Sequence, residues 1–208
     1  MHLTAPIWRY IGSAASWLLF AFSVSLLFLS AQVIAGLGGY CASGGPYVIQ
    51  TECPDTVVWA TPTAIFGGLL AIGIGGLVAR GFGTPLIAWA WPVLFIGLGV
   101  VFELAAFTAS FDVGNLLIGL LLVVMGAVPL VLELRAGPQR SFLGAMDAHG
   151  TRFAEHHGAR RGLYSFAEPE PGTSREARAA DWVTSLLILV VFGAAGILLA
   201  ALVFRTPQ

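Results

Sequence analysis

Cys41 and Cys53 are the residues of this sequence with the widest choice of chemistry. They are the only cysteines among 208 residues, and they stand twelve positions apart in the turn-rich stretch GGYCASGGPYVIQTECPDT. Two thiols can form a structural disulfide, act as a redox pair, remain free or contribute to a metal site. Thiol oxidoreductases usually carry closely spaced pairs such as C-x-x-C, and zinc needs further ligands. The spacing therefore favours a structural disulfide, with the other uses as alternatives.

Glu103, in the apolar run VVFELAAF, is a second candidate for chemistry. An ionisable side chain inside a bilayer costs about 2.5–3.5 kcal/mol on insertion scales, and such residues often mark proton or ligand sites. Gln32 is the other strongly polar side chain that we expect at a similar depth, and the sequence allows the two to touch. The alternative is structural: a carboxylate near the headgroups, or a neutral acid hydrogen-bonded to a neighbouring helix.

Histidines near residue 150 are candidate metal ligands. His149 and His156 are seven positions apart and would share a helical face, with Glu155 and His157 beside them. Adjacent histidines point apart on a helix, however, and no pattern such as H-E-x-x-H is present. We therefore expect solvated histidines and no metal. The sequence also lacks a phosphate loop, a nucleophile elbow and a dinucleotide fingerprint, so we expect no enzyme activity and no cofactor.

The elements that position these residues follow from an apolar composition. The chain is 57% hydrophobic and 10% charged, whereas soluble domains carry about 25% charged residues. A bilayer core needs about 20 mostly apolar residues per helix, and five runs meet this requirement. We predict an all-α membrane protein with five transmembrane spans. They cover residues 11–34, 57–79, 85–107, 115–134 and 182–204.

The arginines predict which way the chain faces. Five spans place nine of the ten arginines, all but Arg205, on the side of the N-terminus. Because cytoplasmic loops carry an excess of basic residues, we expect a plasma-membrane protein with its N-terminus in the cytoplasm and its C-terminus outside. The first loop, 37–56, then lies outside, where thiols usually become disulfides. A bond between Cys41 and Cys53 would staple this loop and contribute roughly 3 kcal/mol.

The predicted organisation has three parts. A polar cytoplasmic segment separates two transmembrane regions, and it carries six of the ten arginines. Steps of three and four residues between Phe142, Met146, His149 and Phe153 permit a helix with one apolar face, lying on the inner leaflet. A proline- and glycine-rich linker follows it. The parts are a four-helix region with its outer loop (1–135), the amphipathic and linker segment (136–181), and the fifth helix with a short outer tail (182–208).

Small residues predict how the spans pack. Side chains of this size let helix backbones approach closely in a membrane. Span 2 therefore becomes the expected central helix, although the same stripe would also suit a contact with another chain. Its members, four residues apart, are Gly67, Ala71, Gly75 and Ala79.

Charged residues near the ends of span 4 have simpler expected uses. Asp112 precedes the span in the turn Asp-Val-Gly-Asn, which predicts a helix cap. Glu133 and Arg135 stand at the other end, where we expect them to be solvated.

The loop motif CASGGPYVIQTECP resembles one that recurs in small, uncharacterised actinobacterial integral membrane proteins. The shared pattern is Cys-x-x-Gly-Gly-Pro-Tyr followed by Cys-Pro, here beginning at Cys41 and ending after Cys53. The resemblance covers this loop and the apolar segments beside it. It implies a membrane location and a paired-cysteine loop, and it implies no activity.

Two function classes fit these observations. The first is a non-catalytic accessory or scaffold subunit of an envelope membrane complex, which binds another membrane protein or a second copy of itself. The second is a small transporter or channel-like protein that uses Glu103 as a protonatable site. Few polar residues fall inside the spans, which favours the first class. The expected partners are therefore the lipid bilayer and a membrane protein, with no nucleic acid.

Overall fold

The computed structural model describes residues 7–39, 41–42, 51–107, 111–135, 138–144 and 176–204. Every named element within these ranges is a helix, and five of the helices are long and apolar enough to cross a membrane. The predicted all-α membrane architecture with five spans is therefore confirmed. The helices are α1 (Ile7–Gly36), α2 (Asp55–Leu77), α3 (Leu86–Ala106), α4 (Val113–Arg135), the short α5 (Pro138–Leu143) and α6 (Ala179–Val203).

The central helix is α1, which packs against α2, α3 and α6. Its buried apolar side chains belong to two clusters, one around Trp17 and Phe20 and the other around Leu26. The expectation that span 2 would be central is wrong. The predicted stripe of α2 lies on one face, and the opposite face exposes large side chains such as Phe66 and Leu69.

An antiparallel seam of small residues joins α2 to α1. Gly67 lies directly against the side chain of Ser23, and an added Cβ at Gly75 would stand 3.6 Å from the Cβ of Ser16. At the end of the seam, an added Cβ at Gly12 would stand 3.0 Å from the backbone nitrogen of Ala79. The predicted stripe, in which Ala71 and Ala79 are also buried, thus packs within the chain.

Glycines bring α3 and α4 into backbone contact. An added Cβ at Gly119 of α4 would stand 2.9 Å from the carbonyl oxygen of Gly99 in α3. An added Cβ at Gly126 would stand 2.9 Å from the backbone nitrogen of Ile96. Asp112 caps α4 as predicted, because its Oδ1 accepts a 2.7 Å hydrogen bond from the backbone N–H of Gly114. The two helices therefore form a closely packed antiparallel pair.

The last helix, α6, packs along α1, and the backbones come closest at Gly196. Gly196 stands directly against the carbonyl oxygen of Leu18, where a larger residue would collide. The helix begins at Ala179, three residues before the predicted start, because the Asp181 carboxylate accepts a 2.8 Å hydrogen bond from the backbone N–H of Arg178. Its far end returns to α2, where Phe204 shares a cluster with Val57.

Candidate functional site

The bundle has two ends with different chemistry. We call one the arginine end, since Arg9 near the start of α1, Arg80 just after α2 and Arg135 at the end of α4 all lie there. We call the other the disulfide end, since it carries Cys41 and Cys53 between α1 and α2. Helices that are long and apolar enough to cross a membrane separate these two ends.

A disulfide joins Cys41 to Cys53, which confirms the predicted staple. Their Cα atoms are 4.9 Å apart. Backbone hydrogen bonds run beside the bond: the N–H of Ala42 donates to the carbonyl of Thr51 at 3.0 Å, and the N–H of Cys53 donates to the carbonyl of Ala42 at 3.1 Å. The staple therefore ties together the start and the end of the first loop. Residues 43–50, in the middle of this loop, lie outside the described residues.

Glu103 lies on the α3 face that meets α4. An added Cβ at Gly119 would stand 2.7 Å from the Cγ of Glu103, so this glycine makes room for the acidic side chain. Glu103 is half-buried, whereas Gln32 is exposed on α1. Within the described residues no hydrogen bond joins the two side chains, so the structure does not support the Glu103–Gln32 contact that the sequence allowed.

Buried polar side chains concentrate at the arginine end, and sequence reasoning missed most of them. Arg9 is 0% exposed although it stands in the first turns of α1. The expectation of a solvated Glu133 is wrong, because this residue is only 4% exposed, whereas Arg135 is exposed as expected. The short helix α5 folds back against the end of α4 and covers it. The other buried polar residues at this end are Ser13, Thr84, Ser141 and Ser185.

Hydrogen bonds connect four elements at the arginine end. Trp17 of α1 donates from Nε1 to the carbonyl of Thr84 at 2.9 Å, and the Thr84 hydroxyl donates to the carbonyl of Phe142 in α5 at 3.1 Å. Trp89 of α3 donates to the carbonyl of Ser141 at 2.7 Å. The Ser141 hydroxyl in turn donates to the carbonyl of Glu133 in α4 at 2.9 Å. These bonds hold α5 across the ends of the longer helices.

The chain leaves α5 through Gly144, which pairs with the loop between α2 and α3. An isolated antiparallel bridge joins Gly144 to Phe82. Gly144 has a φ of +56°, and a Cβ added there would collide with the carbonyl oxygen of Gly81. Only glycine adopts this positive φ without strain and also leaves room for the Gly81 carbonyl. This contact fixes the chain just after α5 against the loop between α2 and α3.

The start of the predicted amphipathic segment packs on protein instead of lipid. The centroid of the Phe142 ring lies 5.0 Å from that of Trp89 and 6.4 Å from that of Trp182, and both pairs are tilted. Leu143 is 2% exposed. The remaining part of that prediction, including Phe153 and the possible metal ligands His149, Glu155, His156 and His157, falls outside the described residues.

One pattern in the sequence indicates both that α1 is central and that its buried face carries serines. Ser16, Ser23 and Ser30 recur every seven residues, which places them on one helical face, and all three are buried. Ser16 donates to the carbonyl of Ser13 at 2.9 Å. The burial of Glu133 has no such signal, since it depends on the reversal of the chain into α5.

The contacts described at the arginine end are hydrogen bonds and packed side chains. Across those residues, no three His, Cys, Asp or Glu side chains stand close enough together to hold a metal ion. Comparison with protein-family models, with curated proteins and with solved structures finds no significant match to this chain. The resemblance of the cysteine loop to the actinobacterial motif therefore stays a prediction.

Proposed function

We propose that this protein is a non-catalytic accessory or scaffold subunit of an envelope membrane complex. It resides in the plasma membrane with the arginine end in the cytoplasm and the disulfide end outside. One observation carries the proposal: the helices meet through direct small-residue contacts, such as Gly67 against Ser23 and Gly119 against Gly99. Seams packed in this way suit a rigid scaffold better than a conducting path.

The stapled loop is the partner-binding surface in this proposal. The stripe on α2, which was the other candidate, already packs against α1 within the chain. The loop between Cys41 and Cys53 stands between two spans, and the staple reduces the conformational freedom that binding a partner would otherwise cost.

The test is isolation of the tagged full-length chain at its natural abundance, with mild detergent and quantitative mass spectrometry. We expect another membrane protein in fixed proportion with the wild type, and its loss in the double variant Cys41→Ser/Cys53→Ser. Gly193→Ala is the matched control, because an added Cβ at Gly193 meets nothing within 4 Å. Recovery of the wild-type chain alone, or only with copies of itself, would contradict the hetero-complex.

A small transporter is the second candidate, and the position of Glu103 supports it. This carboxyl group is half-buried at the α3–α4 contact and makes no side-chain hydrogen bond to any other described residue. Reconstituted vesicles separate the two functions. The scaffold proposal expects equal proton leak for the wild type, for Glu103→Gln and for the loop control Glu52→Gln. A flux that only Glu103→Gln removes would favour the transporter.

A further inference from the structure

Trp8 at the arginine end stands beside two guanidinium groups. The Cζ of Arg9 lies 5.3 Å from the centroid of the Trp8 ring, and the Cζ of Arg80 lies 5.8 Å from it. Both distances are within the range of a cation–π contact. The ring is 39% exposed, Arg9 is buried, and Arg80 is exposed. The ring and the Arg80 guanidinium thus form one exposed surface where α1 and α2 reach the edge of the membrane.

The backbone of Arg80 adopts a conformation that glycine would take more easily. Its φ is +49°, and no other non-glycine residue described in the structure has a positive φ. The position follows directly after the buried Ala79 and precedes Gly81, whose φ is +72°. Glycine is the usual residue where the chain turns left-handed after a helix. A strained arginine at such a place points to a use for its side chain.

Part of that use is local, because a cation just beyond the C-terminus of α2 interacts favourably with the helix dipole. Arg135 also places a cation at a helix C-terminus, that of α4. It does so without a positive φ, and the contacts described for it include no aromatic ring. The Arg80 side chain also makes no hydrogen bond or ion pair with any described residue. Its fork of N–H donors is therefore available to an external anion.

We propose that Arg80 and Trp8 bind the phosphate of an anionic phospholipid headgroup. Guanidinium groups pair with phosphate through two parallel hydrogen bonds, and indole rings favour the depth of the headgroups. A membrane supplies this ligand at the height where the spans end, so the lipid is the source that fits. The inference requires only that the chain spans a bilayer. It is independent of the scaffold function and of which leaflet the arginine end meets.

The test is thermal unfolding of the full chain in mild detergent, titrated separately with phosphatidylglycerol, phosphatidylcholine and inorganic phosphate. We expect the wild type to bind phosphatidylglycerol more tightly than phosphatidylcholine. A basic residue near an anionic surface accounts for about a fivefold change in affinity, so Arg80→Gly should reduce this preference by about that factor. Glycine relieves the positive φ, whereas loss of the cation removes its favourable interaction with the helix dipole, so Arg80→Gly should unfold close to the wild type without lipid.

Two further variants complete the design. Arg80→Gln keeps the strained backbone and should lose the same preference. Arg135→Gln removes an equal charge from the same end and should keep most of it. The proposal is overturned if Arg80→Gly retains the wild-type preference, if Arg135→Gln loses as much, or if inorganic phosphate stabilises the wild type as well as phosphatidylglycerol does.

Discussion

At the scale of single residues, Trp91 supplies a hydrogen-bond donor that Pro129 lacks. Proline has no backbone N–H, so Pro129 inside α4 leaves the carbonyl of Met125, four residues earlier, without its usual helical donor. Trp91 of α3 donates from Nε1 to that carbonyl at 3.2 Å. Backbone groups freed by proline in a membrane helix need such partners, because lipid offers none. The pair therefore also joins α3 to α4.

Replacement of Trp91 tests this pairing. Trp91→Phe keeps the aromatic bulk and removes the donor, so we expect a loss of about 1 kcal/mol in the free energy of unfolding in detergent. In a Pro129→Ala background the restored N–H can serve the Met125 carbonyl, and the same substitution should have a clearly smaller effect. Equal losses in the two backgrounds would show that the hydrogen bond does not compensate for the proline.

At the scale of helices, glycines decide which faces meet, and Gly119 offers the sharpest test. A Cβ at this position would stand 2.9 Å from the backbone carbonyl of Gly99, which cannot rotate away as a side chain can. We expect Gly119→Ala to lower the free energy of unfolding by about 1–3 kcal/mol. Gly193→Ala in α6, with open space around it, should leave stability unchanged or raise it by up to about 1 kcal/mol. Equal effects of the two substitutions would rule out the backbone contact.

The docking of α5 depends on Gly144 in the same way. Gly144→Ala would force a Cβ into the carbonyl of Gly81 at a left-handed φ, so α5 should leave its place on the bundle. A cysteine introduced at the buried Leu143 reports this with a maleimide, since both natural cysteines are in the disulfide. We expect faster labelling with Gly144→Ala and unchanged labelling with Gly73→Ala. Slow labelling in both would mean that α5 stays docked.

The helices themselves were predictable, and their neighbours were not. A bilayer requires long apolar runs, so span 1, predicted as 11–34, matches α1 (Ile7–Gly36) to within four residues. The choice of the central helix was wrong because a stripe of small residues on α2 indicates a close contact without identifying the partner helix. The buried state of Glu133 and the docking of α5 depend on contacts between segments distant in sequence, which local patterns do not contain.

At the scale of the whole molecule, the disulfide reinforces a contact that the helices already make. It joins the chain at the disulfide end of α1 and α2, which also share the seam from Gly67 to Gly75. We expect Cys41→Ser to lower the free energy of unfolding by at most roughly 3 kcal/mol and to abolish the mobility difference between reduced and oxidised samples. Cys53→Ser should behave alike, and the double variant should add nothing. A larger loss in the double variant would mean that the thiols act separately.

Orientation is the prediction that links both ends of the molecule. Arginines favour the cytoplasm and disulfides persist outside it, so the two features should face opposite sides of the membrane. Each span crosses from one end to the other, and the described residues form five helices suited to span. Single cysteines at the exposed Phe111, at the disulfide end, and at the exposed Pro138, at the arginine end, test the arrangement.

A membrane-impermeant maleimide applied to intact cells should label Phe111→Cys and spare Pro138→Cys, and permeabilised cells should label both. The natural cysteines do not interfere, because both are in the disulfide. The reverse pattern would place the arginine end outside and the disulfide in the reducing cytoplasm, against both rules at once. Labelling of both sites on intact cells would put them on one face of the membrane. That result requires an even number of spans between them, so it would contradict the single crossing by α4.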